Sequence, residues 1–364
     1  MQEVKNYGSF LQAFSLRKNI EALGNKVDYI NIIPGRQLEE YKQPRFAKYE
    51  KLIKRLWGRD FVKRFKTIYT FQERFSKEFL PYLGVKKGNN DSHHDIVVIG
   101  SDEVFNFAQQ TWFGFSPQLF GHGLNADKVI TYAASFGATT VDKMVHLGLK
   151  EEVADYLKDL NKISVRDQNS FDVVKTLTGI SPIMNVDPVL IYDYSEYVPL
   201  EKHKSDYIII YSYPGRIKDK NEINAIKDFA KKKGLRLLSI GHYFPWCDDV
   251  VVPSPFEVLS YFRDAAYIVT DTFHGSVFSI KYNKQFATIV RGMNNNKLSF
   301  FLQQFGLQDR IVNDMSRLAE IEDSQIDYDA VNKKIAREQE RSMEYLRENI
   351  YSYESSNKEV DTWS

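Results

Sequence analysis

The 364-residue chain contains one cysteine, Cys247, which excludes an internal disulfide and a thiolate zinc cluster. No apolar run approaches the ~18–20 residues that span a bilayer. The first eight residues carry no basic-then-apolar leader, so the expected location is the cytoplasm. Net charge is nearly absent: 49 Lys and Arg face 48 Asp and Glu, leaving +1 and no global attraction for nucleic acid. Nucleic-acid motifs are missing. No Gly-x-Gly-x-x-Gly follows an expected strand, and no Gly-x-x-x-x-Gly-Lys-Ser/Thr or Gly-x-Ser-x-Gly occurs. Nicotinamide, P-loop and serine-hydrolase chemistry therefore lack their sequence marks. His93-His94 lies in a polar stretch and reads as solvated loop, and no metal site is expected.

What is plentiful is aromatic and β-branched residues in an alternating helix–strand series. Aromatics make up 14% of the chain, with 25 Phe and 22 Tyr, enough for sizeable cores. Short Val/Ile/Tyr-rich runs at 27–33, 95–99, 129–134, 162–165, 207–213, 236–240, 266–270 and 286–290 read as strands buried on both faces. The implied class is α/β with largely parallel sheets. The expected division is an N-terminal α/β domain, 1–187, and a C-terminal α/β domain, 188–326. A closing helix at 327–351 and a frayed tail at 352–364 follow. Asp187-Pro188 marks the connection, because a residue before proline is driven out of the helical region.

One segment stands apart. Residues 43–81 read as a helical insertion, and 42–77 hold twelve Lys or Arg against three acids, Glu50, Asp60 and Glu73. Two readings stay open. Either the basic stems cover apolar surface on a solvated face, or the segment is a patch for anionic headgroups or a lipid-linked substrate, a peripheral membrane contact.

In open α/β sheets, ligands sit beyond the carboxyl ends of the strands, and four such ends carry polar residues. Thr270-Asp271-Thr272-Phe273-His274-Gly275-Ser276 passes from strand to helix. His274 there can donate to a phosphate or act as a general acid where helix amides favour an anion, or simply be satisfied by local backbone. Gly100-Ser101-Asp102-Glu103 with Asn106 offers polar groups after a strand. Arg166-Asp167 suits a bidentate grip on an anion or a structural ion pair. Asn6-Tyr7-Gly8-Ser9 is a turn leading into an apolar-periodic helix over 11–23.

Taken in order, these marks resemble the polysaccharide pyruvyl transferase family. The resemblance rests on Asn6-Tyr7-Gly8-Ser9-Phe10-Leu11-Gln12, Ile99-Gly100-Ser101-Asp102-Glu103-Val104-Phe105-Asn106, Tyr132-Ala133-Ala134-Ser135-Phe136-Gly137, Ser164-Val165-Arg166-Asp167, Asp187-Pro188 and the block from Thr270 to Ile280. It implies two Rossmann-like domains facing a cleft, as in GT-B glycosyltransferases. It also implies transfer of pyruvate from phosphoenolpyruvate to a sugar or glycan acceptor, free or lipid-linked, in cell-surface polysaccharide synthesis. No metal or redox cofactor is required.

On this reading His274 and Asp102 are the catalytic candidates. Arg166, Thr272, Phe273, Gly275, Ser276 and Arg291 are assigned to the donor, and Asn6, Tyr7, Ser101 and Asn106 to the acceptor. Two departures qualify the match. Relatives tend to carry Arg-Leu-His-Gly where this chain has Thr272-Phe273-His274-Gly275, so Arg291 or Arg216 would have to supply the missing charge. Relatives also place a short apolar strand before the Asn-Tyr-Gly turn, so either the first sheet lacks a strand or the stated start is internal to a longer chain. Two other functions follow from the same marks. One is a nucleotide-sugar glycosyltransferase, with Glu257 and Tyr243 as faint candidates for ribose and base. The other is a non-catalytic glycan-binding relative.

Overall fold

The computed structural model describes residues 1–38, 60–86, 88–90, 92–108, 111–292, 295–315 and 317–360. The chain forms two compact units. The first comprises Met1–Lys42, Leu80–Tyr192 and Lys333–Ser364, the second Gln43–Phe79 and Asp193–Asn332. The main helices are α1 (Tyr7–Glu21), α2 (Phe61–Arg74), α3 (Lys150–Lys158), α4 (Gln168–Thr178), α5 (Lys220–Lys233), α6 (Pro255–Asp264), α7 (Phe273–Lys281) and α8 (Tyr328–Val360). Of the expected insertion, 43–59 lies outside the described residues. The remainder is α2, a π-helical turn at Phe75–Phe79 and a helical turn at Leu80–Leu83.

The first unit is built on a parallel sheet of β1 (His94–Asp102), β2 (Ala126–Ala134), β3 (Ser164–Val165) and β4 (Ile183–Met184), in that spatial order. On one face α3 and α4 bury Val153, Leu157 and Val174 against Ile99 and Val165. On the other, Leu16 and Ile20 of α1 meet Ile130 and Tyr132, together with Tyr345, Leu346 and Ile350 of α8. The Tyr345 hydroxyl donates to the Thr131 carbonyl at 2.7 Å and fixes α8 on the sheet. The tail expected to fray from residue 352 is helical as far as Val360. Once Leu346 and Ile350 are anchored, each further residue adds a hydrogen bond to an existing helix.

The second unit carries a six-stranded parallel sheet of β5 (Tyr207–Tyr211), β6 (Arg236–Ile240), β7 (Asp249–Val251), β8 (Tyr267–Thr270), β9 (Phe286–Ile289) and β10 (Ile311–Val312). Its spatial order is β10-β9-β8-β5-β6-β7. All five residues of β5 are buried, as a central strand covered on both faces requires. Helix α5 begins at an Asp219 cap and stops at left-handed Gly234; α6 begins with a Ser254–Glu257 capping box. Ile226 and Phe229 of α5 then pack with Ile208, Ile210, Val269 and Ala287. The architecture is mixed α/β with parallel sheets, as the alternation implied.

Seven of the eight expected strands form; the run at 27–33 does not. It has no partner ladder among the described residues. A cavity of about 630 Å³ lies between Val27, Tyr29, Ile30 and Ile32 on one side and Ile96, Val98 and Gly100 of edge strand β1 on the other. Side chains satisfy its backbone instead. Gln2 donates to the Ile30 carbonyl at 2.6 Å, Asn89 to Tyr29 at 3.0 Å, Gln118 to Asn31 at 3.0 Å and Ser116 to Ile33 at 2.7 Å. The Ile32 and Ile33 amides donate to Glu3 and Gln118.

Candidate functional site

In the first unit, the carboxyl end of the sheet is closed by a polar network centred on Arg166. One guanidinium nitrogen donates to Asp102 Oδ1 at 2.9 Å and another to Asp187 Oδ2 at 3.1 Å. The Arg166 and Asp187 side chains are 1% and 0% exposed, that of Asp102 14%. Burial alone would lower the Arg166 pKa; Asp102 and Asp187 lift it above the ordinary arginine value. Helix α1 reaches the same network. Ser9 donates to Asp102 Oδ2 at 3.1 Å, and Gln12 donates to Asp187. The Asn6 side chain caps α1, accepting from the Gly8 and Ser9 amides at 2.7 and 3.2 Å.

The loops behind this network are locked. A Cβ on Gly100, whose φ is +133°, would fall 2.1 Å from the Tyr132 carbonyl oxygen, so only glycine allows β1 and β2 to approach there. Buried Ser101 donates to the Ala133 carbonyl. Asn106 donates to Glu103 at 2.6 Å and accepts from Thr139 at 2.9 Å. Tyr7 is buried. Of the residues assigned to this unit, Asp102 and Asn6 retain partial exposure, while Tyr7, Ser101, Asn106 and Arg166 are buried and hold its loop and helix in place.

The second unit offers a different geometry. Strand order runs outward from β5 through β6 and β7 on one side and from β8 through β9 and β10 on the other. The topological switch point therefore lies between the carboxyl ends of β5 and β8, where crevices open in such sheets. Ser212, Tyr213 and Arg216 follow β5, and Asp271 to His274 follow β8.

Each residue of the second turn has a local reason. The Thr270 hydroxyl donates to the Tyr211 carbonyl at 2.7 Å, tying β8 to β5, and accepts from the Thr272 amide. Thr272 caps α7 by accepting from the Gly275 amide at 3.0 Å. A Cβ on Gly275 would lie 2.1 Å from Thr270 Oγ1, so the glycine lets the helix sit down on the strand. Ser276 shares a hydrogen bond with Thr288 at 2.9 Å, and Phe273 packs on Phe301 with ring centroids 4.9 Å apart. His274 occupies the first turn of α7, 8% exposed, with its ring against Phe273 and Phe278.

Asp271 is the residue that sequence reading left out of the site. Its carboxylate is 3% exposed, and neither oxygen accepts a hydrogen bond within 3.5 Å. Burial raises its pKa, against the opposing pull of Arg216, Ser212 and Arg291. The nearest arginine nitrogen, on Arg291, stands at 3.7 Å. Arg291 donates from one nitrogen to both Glu222 oxygens at 2.6 Å and from another to the Arg216 carbonyl at 2.6 Å. Arg216 is exposed, lies over the Tyr213 ring at 4.5 Å, donates to the Asp271 carbonyl at 3.4 Å, and has no carboxylate within 4 Å of its guanidinium among the described residues. The signal for Asp271 was present: an aspartate directly after a buried Tyr-Ile-Val-Thr strand and two residues ahead of a capped helix.

Among the described residues, no group of three or more His, Cys, Asp or Glu could hold a metal ion, and no helix is long and apolar enough to cross a membrane. The profile of the polysaccharide pyruvyl transferase family matches residues 6–292. The chain belongs to that family, a family of transferases. No match was found among curated proteins. Among solved structures, the chain is similar to MnaA of S. aureus, described as a co-structure with UDP. Identity is 10%, with 94% of this chain and 95% of that chain covered and a TM-score of 0.46. It is also similar to the glycotransferase of kitacinnamycin, at 9% identity, 97% and 96% coverage and a TM-score of 0.46. A UDP-GlcNAc 2-epimerase from Neisseria meningitidis bound to UDP-GlcNAc gives 10% identity, 87% and 97% coverage and a TM-score of 0.39.

Proposed function

We propose that the protein transfers a pyruvyl group from phosphoenolpyruvate to two hydroxyls of a sugar, forming a ketal on a cell-surface polysaccharide or its precursor. Membership of the family supports the reaction class. The observation that carries the assignment of the site is His274 at the N-terminus of α7, at the switch point of the second sheet.

The chemistry needs an acid, an anion grip and a base. Protonation of the donor's methylene carbon makes the neighbouring carbon electrophilic, and one sugar hydroxyl adds there and loses its proton. Phosphate then leaves with its electron pair, and the second hydroxyl closes the ketal and loses its own proton. His274 donates to the phosphate or protonates the methylene, aided by the amides of the first α7 turn. Asp271, whose pKa burial raises, is a second titratable group of that turn. Arg216 supplies the charge that Thr272 lacks and takes the donor carboxylate; Arg291 is neutralised by Glu222 and orients Arg216 through its carbonyl. Asp102, oriented by Arg166 and Ser9, accepts the hydroxyl proton.

The test is to incubate the protein with phosphoenolpyruvate and a panel of glycosides and to follow phosphate release and a mass gain of pyruvate less water. His274→Ala is expected to lower the rate about 10²–10⁴-fold, the usual worth of a positioned acid. Turnover of a nucleotide sugar with no response to phosphoenolpyruvate would overturn the reading. Glu257, the acid available to a ribose, already accepts from the Ser254 amide at 2.6 Å in its capping box.

A further inference from the structure

Helix α2 has two apolar faces, and among the described residues only one is covered. Thr67 and Phe71 are buried, and Phe75 and Phe79 continue that line through the π turn. Phe71 stacks toward Phe75 and His242 with centroids 4.7 and 5.6 Å away, and Arg74 donates to the Val252 carbonyl at 2.6 Å. These contacts seat the helix on the second unit.

The opposite face presents Phe61, Phe65 and Tyr69 at 47%, 49% and 55% exposure, with Val62 beside them at 74%. Their spacing of four residues puts them on one stripe. The three rings stack along it, with centroids 6.0 and 6.2 Å apart. Lys63 and Lys66 are exposed on the same helix and form no ion pair among the described residues. Leaving such rings facing water has no benefit to folding, whereas aromatic rings bordered by a lysine match the boundary between headgroups and acyl chains.

Charge selects the occupant. In a chain of net charge +1, the stretch 42–77 concentrates twelve basic residues against three acids. We propose that the exposed stripe of α2 docks this protein on an anionic phospholipid bilayer, with Phe61, Phe65 and Tyr69 entering the interface, Lys66 at the stripe's edge meeting lipid phosphates and Lys63 adding charge within a Debye length of the surface. The proposal is independent of the pyruvyl transfer reading. It concerns where the protein works, and it fits any acceptor held at a membrane surface.

Vesicle sedimentation of the full chain tests it, using phosphatidylcholine vesicles with and without phosphatidylglycerol. Binding is expected only with the anionic lipid and is expected to fall steeply as salt rises. Replacing both lysines in K63E/K66E should weaken binding at least about fivefold for each lysine removed, the equivalent of ~1 kcal/mol per charge near the surface. F65S/Y69S should weaken it as well, at unchanged circular dichroism, since neither side chain contributes to the core. Equal binding to neutral vesicles, no binding to either, or binding that both double variants leave intact would each overturn the proposal. So would self-association on gel filtration that F65S/Y69S abolishes while vesicle binding stays absent, because a second copy would then be the occupant.

Discussion

Arg166 holds Asp102 at 2.9 Å from a position that is itself almost fully buried, and it does so while gripping Asp187 on its other side. A guanidinium shared by two carboxylates is positioning machinery: its charge is balanced internally, and its planar fork fixes where Asp102 points. Removing the arginine would strand two carboxylates in a low-dielectric pocket. Arg166→Leu is therefore expected to cost about 3–5 kcal/mol in urea unfolding, with Arg166→Lys recovering part of the loss. A loss within the ±0.5 kcal/mol of an ordinary surface change would show that the pair contributes little.

Asp271 should reveal itself through pH. Its folded pKa lies above the ordinary aspartate value of 3.8, with burial as the leading cause. The folded state thus holds its proton to higher pH than the unfolded state, and stability falls as pH rises from that value through the folded pKa. Asp271→Asn removes the titration. The variant should be more stable than the parent at pH 7.5, and this gap should shrink toward pH 4. Parallel urea midpoints at the two pH values would argue against a raised pKa.

For Gly275 two effects oppose each other. Alanine in a helix is favoured over glycine by about 1 kcal/mol, yet here its methyl would lie 2.1 Å from Thr270 Oγ1. Thr270 is pinned by its bond to Tyr211, so the clash cannot be relieved by a rotamer change alone. Gly275→Ala is expected to destabilise by about 1–3 kcal/mol overall, as overpacking does. Thermal unfolding will show the sign.

If Arg216 binds the donor carboxylate, its loss should be felt in binding first. Arg216→Ala is expected to raise the KM for phosphoenolpyruvate by roughly 10–100-fold, corresponding to a charge-assisted hydrogen bond of about 1.5–3 kcal/mol. The change in kcat should be smaller, and the KM for the glycoside should stay put. An Arg291→Ala variant with a larger donor KM effect would shift the role to that residue.

The central strands were legible in sequence because β5 and most of β8 carry apolar Tyr/Ile/Val runs between turn residues. Short β4, β7 and β10 have two or three residues each and too little pattern to stand out. The run at 27–33 shows the converse: an apolar stretch reports extended, partly buried chain, and nothing local reveals whether a ladder exists to receive it. His274 was legible because Gly275 and Thr272 mark a strand-to-helix turn. That Asp271 and Arg216 come together was not, since their approach depends on strand order, which places β5 beside β8 across a long stretch of chain. Glu222, the partner of Arg291, sits in the first turn of α5 and looks in sequence like an ordinary helix-start acid.

The seam that holds residues 27–33 to the chain around them bears on how the first unit tolerates change. A ladder is knitted from main chain and survives almost any side-chain replacement. This seam is stitched by Gln2, Glu3, Asn89, Ser116 and Gln118, so a single codon change can drop a stitch, and drift at those five positions would loosen the unit without touching a catalytic group.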